Sequence, residues 1–202
     1  MKASEMEHSL YQIASLQQGY FTSRQAKEAG YSDSRFLYHV KRGRWIREGR
    51  GIYRLANYPI GDRADLVYWS LWSCNRSGEP QGVFSHQTAL AIHDLSDIMP
   101  ASYHLTVPKQ FRRFHKLPKN LRLYFTDLQD EDISEFEGYR VTTPDRTIYD
   151  VLLDQMISDE VVIQALSDGL QKGVISLGFL TQLANKLDSE RVKRIVNMVT
   201  ER

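Results

Sequence analysis

The chain has 202 residues, 42% hydrophobic and 25% charged, the proportions of an ordinary soluble globular protein of one medium or two small domains. No apolar run approaches the ~20 residues of a membrane-spanning helix, the opening MKASEMEHSLYQIASL lacks a signal-peptide pattern, and the single Cys74 excludes a disulfide framework or cysteine-based zinc site, so a cytoplasmic protein is expected. The formal net charge of +1 is unevenly spread: residues 1–60 hold 10 Lys and Arg against 5 Asp and Glu, and the other 142 residues hold 16 against 20, so the first part is the one expected to meet a polyanion.

Leu10, Ile13, Ala14 and Leu16 recur at helical spacing, and Gly19 follows as a stop. In FTSRQAKEAG, Thr22 and Gln25 stand at capping-box spacing and Gly30 at a C-terminal cap, which predicts a helix of about two turns. Ser32 is placed to cap a third helix, with Asp33 in its first turn and Tyr31 and Phe36 at hydrophobic-staple positions. WIREGRGIYRLA reads as two short strands around a turn, with Glu48 to Gly51 at the tip. Two short helices, a third helix and a hairpin make a winged helix-turn-helix that binds double-stranded DNA, expected to occupy residues 1–58.

NYPIGDR (57–63) reads as the domain boundary, and residues 61–202 as a second, α+β domain. DRADLVYWSLWSC is apolar on most sides, the pattern of a buried helix. Short strands are expected at GVF (82–84), SYHLTVP (102–108), LRLYFT (121–126) and YRVTT (139–143), with a helix capped by Ser85 between the first two. From Pro144, which follows a favourable cap at Thr143, the chain reads as a run of helices to its end. The fold class expected is α+β: a winged helix-turn-helix, then a mixed domain ending in helices.

The third helix carries the functional argument. With about 100° per residue, Phe36, Leu37 and Val40 share one face, expected to pack inward. Arg35, Tyr38, His39 and Arg42 then form an outward stripe suited to a major groove, where Arg reads guanine bidentately, and Lys41 lies at the flank near a phosphate. The wing adds Arg44, Arg47, Arg50 and Arg54, with Arg50 between two glycines at the tip, where neighbouring side chains do not obstruct its approach to a phosphate or a minor groove. Thr22, Ser23 and Arg24 open the second helix, where free amides suit phosphate, although capping alone explains Thr22 equally well. A second basic run, KQFRRFHKLPKNLR (109–122), is either a nucleic-acid surface or a loop balanced by the acidic DLQDEDISEFE that follows.

Signals for catalysis are weak. His86 and His93 stand seven residues apart, too wide for a pair of metal ligands on one helix, and no carboxylate motif supports them. Adjacent Ser85 and His86 are not a nucleophile–base arrangement, and there is no phosphate-cradling glycine loop. Asp145, Asp150 and Asp154 read as a solvated helix face. A tethered nuclease needs clustered acids on its strands, and the four strands read here carry none. No enzyme activity, cofactor or metal is expected.

GYFTSRQAKEAGYSDSRFLYHVKRGRWIREGRGIYRLANYP resembles the N-terminal region of AbiEi-type antitoxins of type IV toxin–antitoxin systems, and FSHQTALAIHDL, HLTVP and VTTPDRTIYDVL resemble successive blocks of that family's second domain. One departure is Asp94, where a small residue such as glycine is expected. The resemblance implies a repressor of its own operon that binds promoter inverted repeats, and a second domain that counters a co-encoded nucleotidyltransferase-like toxin. In that family the antitoxin acts without necessarily forming a stable complex, so direct toxin binding is not assumed. The alternative is a stand-alone winged-helix regulator whose second domain senses a ligand or mediates dimerisation.

Overall fold

Met6, Leu10 and Ala14 recur in steps of four, so Ala3–Ser15 forms α1 with these three side chains buried along one face. Leu16, expected on that face, lies beyond the last turn and is exposed. The computed structural model describes residues 2–113 and 116–201; Phe114 and His115 of the basic run lie outside the described residues. α2 (Ser23–Glu28) opens with the expected reciprocal cap: Thr22 Oγ1 accepts from the Gln25 amide, and Gln25 Oε1 accepts from the Thr22 amide at 2.8 Å. α3 (Asp33–Lys41) begins after Ser32 as expected, but the Ser32 hydroxyl pairs with Ser34 Oγ at 3.0 Å and does not cap the helix.

The wing is β2 (Trp45–Gly49) and β3 (Ile52–Leu55), turning through Arg50 and Gly51, the latter at φ +71°. A short strand the sequence did not announce, β1 (Tyr20–Thr22), pairs antiparallel with β3, placing Tyr20 opposite Arg54 and giving a sheet of order β1-β3-β2. Phe21, Ala26, Tyr31, Phe36, Trp45 and Tyr53 close the core of this unit around Leu10.

α4 (Ala64–Trp72) buries Leu66, Val67, Trp69 and Leu71 and packs on β1 and β3. A side-chain carbon at Gly49 would stand 2.6 Å from Tyr68 Oη, so any larger residue in β2 there has to displace the end of the Tyr68 ring. One compact unit therefore comprises residues 1–82 together with 135–140, and NYPIGDR falls inside it. A helix with no polar face has to be covered on most sides, and α4 takes that cover from the winged sheet.

The second unit comprises residues 83–134 and 141–202. Its five-stranded sheet has the order β6-β5-β4-β8-β7, from β4 (Val83–Phe84), β5 (Tyr103–Val107), β6 (Leu121–Phe125), β7 (Ile133–Phe136) and β8 (Tyr139–Thr142). β4 runs antiparallel to β5 and parallel to β8, and β5 runs parallel to β6. β7 was not anticipated: it lies within the acidic segment and, carrying Glu135, is a strand that does bear an acid. α5 (His86–Ile92) and the final run α6 (Pro144–Leu153), α7 (Asp159–Gln171), α8 (Leu177–Leu187) and α9 (Glu190–Thr200) match the expected helices. Leu90, Ile148, Leu166, Leu180 and Ile195 lie at the centre of their shared core. The α+β class is as expected: a winged N-terminal region, two sheets and a closing run of helices.

One local feature of this unit corrects the sequence reading, and a second agrees with it. Asp150 is not on a solvated face: it is buried, its Oδ1 accepts from Arg146 Nε at 2.9 Å, and Arg146 also reaches Asp132 at 3.0 Å. Asp94 does occupy a glycine-like conformation, φ +55°, and its carboxylate pairs with Lys172 at 2.6 Å.

Candidate nucleic-acid interface

α3 presents a different face from the one its hydrophobicity predicts. His39 is buried, 8% exposed, with its imidazole stacked on Trp45 and the Tyr31 ring edge-on at 5.1 Å. Burial, then the neighbouring Arg44 and Arg35, hold its pKa below the ordinary histidine value. It is therefore a neutral core residue, not the groove donor the sequence implied. Leu37, expected inside, is 61% exposed, whereas Phe36 and Val40 pack inward as expected. On a helix, 37 and 39 lie about 80° either side of the direction set by Phe36 and Val40, so periodicity alone cannot choose between them. Apolarity favours Leu37, but the flat indole of Trp45 favours His39, and the indole wins.

The outward strip is accordingly Ser34, Leu37, Tyr38 and Lys41, flanked by Arg35 and Arg42, all of them exposed. Lys41 moves from the flank to the middle of the face. Arg42 follows the last turn, and its guanidinium lies over the Tyr38 ring, 5.5 Å from the centroid, which limits where its donors point. The helix's one acid, Asp33, sits at its start and is paired with Lys27 at 2.7 Å, so the rest of the face is acid-free. Ser34 and Leu37 are the residues of this strip that the sequence reading missed. The signal for them was Trp45, once its ring is taken as the floor on which α3 rests.

In the wing, Arg44, Arg47 and Arg50 are exposed. Arg54 is not available: it is 7% exposed and its Nε donates to Glu48 Oε1 at 3.0 Å. At the start of α2, the Ser23 amide donates to the Gly51 carbonyl at 2.8 Å, tying the wing turn to the helix. Thr22 is occupied by the cap, and Arg24 donates to Glu28 at 2.9 Å and to the Arg76 carbonyl at 2.8 Å. These three residues hold the frame, while Arg35, Tyr38, Lys41, Arg42, Arg44, Arg47 and Arg50 face solvent.

Three histidines of the second unit, His86, His93 and His104, have internal partners. His86 is buried against Tyr124, ring centroids 3.5 Å apart, with Nδ1 3.0 Å from Ser85 Oγ. His104 Nδ1 meets the Tyr124 hydroxyl at 3.0 Å, and that hydroxyl donates to Asp154 at 3.2 Å. Burial pushes both imidazoles down to about 4 and the Tyr124 phenol up to about 12. His93 Nε2 lies 2.7 Å from the Thr142 carbonyl oxygen. Among the described residues no group of three or more His, Cys, Asp or Glu is arranged to hold a metal ion. Six cations of the basic run, Lys109, Arg112, Arg113, Lys116, Lys119 and Arg122, are exposed, and Lys109 lies 3.8 Å from Asp127 of the acidic segment. Among the described residues no helix is long and apolar enough to cross a membrane.

Residues 8–56 match the family of transcriptional regulators described as AbiEi antitoxins. The matched segment runs from the middle of α1 through α2, α3 and the wing, so it is the winged region of this chain that is similar to that family. Among solved structures the chain is similar to the RV2827C protein from Mycobacterium tuberculosis, with 14% identity, 97% of this chain and 82% of that chain covered, and a TM-score of 0.46. No curated relative matches it.

Proposed function

We propose that this protein represses its own operon by binding promoter inverted repeats, and that it is the antitoxin of a type IV pair whose co-encoded toxin is nucleotidyltransferase-like. The observation that carries the DNA reading is the outer face of α3, where Tyr38, Lys41 and Arg42 line up beyond Asp33 with no further acid. Arg35, Tyr38, Lys41 and Arg42 enter the major groove, and Arg44, Arg47 and Arg50 reach backbone or minor groove. Thr22, Ser23 and Arg24 support that arrangement from behind. The role is one of binding in the cytoplasm, with no chemical step and no cofactor, and the winged region and the α+β region carry separate tasks. Titrating labelled promoter DNA at several salt concentrations tests the first half; co-expression with the adjacent gene, scoring growth, tests the second. Loss of sequence preference, or no rescue, overturns the corresponding half.

A second reading, a stand-alone regulator that senses a small ligand, draws on one feature of the second unit. A pocket of about 630 Å³ is lined by Asp132, Asp145, Arg146, Tyr149, Phe179 and Lys186. Rescue in the co-expression test decides between the two.

A further inference from the structure

We propose that Leu37 is a specificity residue that reads the 5-methyl group of a thymine, so that each half-site of the operator contains a thymine under the middle of α3. The inference rests on the DNA-binding reading above and adds the base. Leu37 is 61% exposed, although Phe36 beside it is buried and the unit's core is closed by other residues. It stands three residues after Ser34 and four before Lys41, halfway along α3 at one edge of the outward strip, with Tyr38 half-exposed next to it. Lys41, one turn further along the same face, sets a positive charge beside this apolar spot, and Arg35 and Arg42 add charge further round the helix, which fits a polyanion and not an apolar protein partner. On the floor of a major groove, the thymine methyl is the one apolar group that base pairs display. A leucine pressed into that groove thus has a single favourable complement, and over any other base it covers polar edges without pairing them.

The test uses the full-length protein and its own promoter. Footprinting locates the bound segment, and a set of duplexes then replaces each thymine singly with deoxyuridine, which deletes only the methyl group. At one position per half-site the wild type is expected to bind the uracil duplex about fourfold more weakly, the worth of one buried methyl. Leu37→Ala should bind the thymine and uracil duplexes equally, and Leu37→Gln should prefer adenine there. Leu37 is exposed, so both variants should melt with the wild type. Specific binding with no uracil-sensitive position overturns the inference alone, as does a sensitivity that survives in Leu37→Ala. Absence of any sequence-specific binding by the wild type overturns the DNA reading with it.

Discussion

The imidazole of His39 lies flat on the indole of Trp45, ring centroids 4.6 Å apart and planes 19° from parallel. His39 belongs to α3 and Trp45 opens β2, so one ring pair sets the angle between the candidate reading helix and the wing. Tyr31 and Phe36 pack on the same indole at 5.0 and 5.5 Å.

His39→Ala should therefore act through the fold. Removing a buried ring costs about 2–3 kcal/mol, on the scale of large-to-small core changes. DNA affinity should drop along with the melting temperature, while the slope of log K against log salt stays the same, because no phosphate contact is lost. A changed salt slope at unchanged melting temperature would return His39 to the groove.

Arg42 and Arg24 should separate cleanly. Arg42→Ala is expected to weaken specific binding by about 1–3 kcal/mol, and Lys41→Ala, from the middle of the face, should do the same. Arg24 is engaged by Glu28 and the Arg76 carbonyl, so Arg24→Ala should change affinity by less than about 0.5 kcal/mol. Anisotropy titrations of the three variants on one promoter duplex check the order.

A fragment ending at residue 58 should fold poorly, because it lacks α4 and leaves the faces of β1 and β3 that α4 covers open to water. A fragment ending at residue 82 should fold and keep promoter binding, with lower stability than the whole chain, since Gly138 of the missing hairpin packs close to Val67 and Gln17. Circular dichroism melts of the two fragments give the comparison. Equal melting of both would place α4 outside the winged unit.

Acid should destabilise the protein well above the range in which ordinary carboxylates titrate. His86 and His104 are held at about 4 in the fold against 6.5 when unfolded, so the unfolded chain takes up their protons first. Stability then falls as pH drops from 6.5 to 4, by about 1.4 kcal/mol per histidine per pH unit. His39, also lowered, adds in the same direction. Asp150 opposes them: burial raises its carboxyl to about 6 despite Arg146, so the folded state binds that proton first and gains stability between pH 6 and 3.8. One aspartate offsets roughly one histidine, leaving a net loss of about 1–2 kcal/mol per pH unit below pH 6. Urea unfolding at pH 7, 6 and 5 measures it; His86→Gln should flatten the slope, and a flat wild-type profile would contradict the burial of these rings.

The elements legible in the sequence were those whose cause is local. Thr22 with Gln25, Thr143 before Pro144 and the glycine-flanked turn at Arg50 each state their structure within four residues. β1 was not legible, because its three residues read as the approach to a cap and their partner, β3, is some thirty residues away. β7 was hidden by the charges around it. At the candidate site, charge located the cations but not their partners: Arg54 looked like its neighbours, yet Glu48 on the facing strand takes it out of solution. The inward turn of His39 depended on a stack with a residue outside its helix, and Asp150 on a pairing with Arg146 that no count of acids reveals.

The chain passes between its two units three times, after residues 82, 134 and 140, because the tip of the β7–β8 hairpin belongs with the first. Such a protein resists modular inheritance. A single genetic crossover near Gly82 would graft a new first segment onto a second unit still carrying the old hairpin tip, shaped for Val67 and Gln17 of the lost partner. New operator specificities in this lineage should accordingly arise by point changes on the exposed face of α3 in preference to exchange of whole N-terminal segments, so the DNA target and the second unit are inherited together.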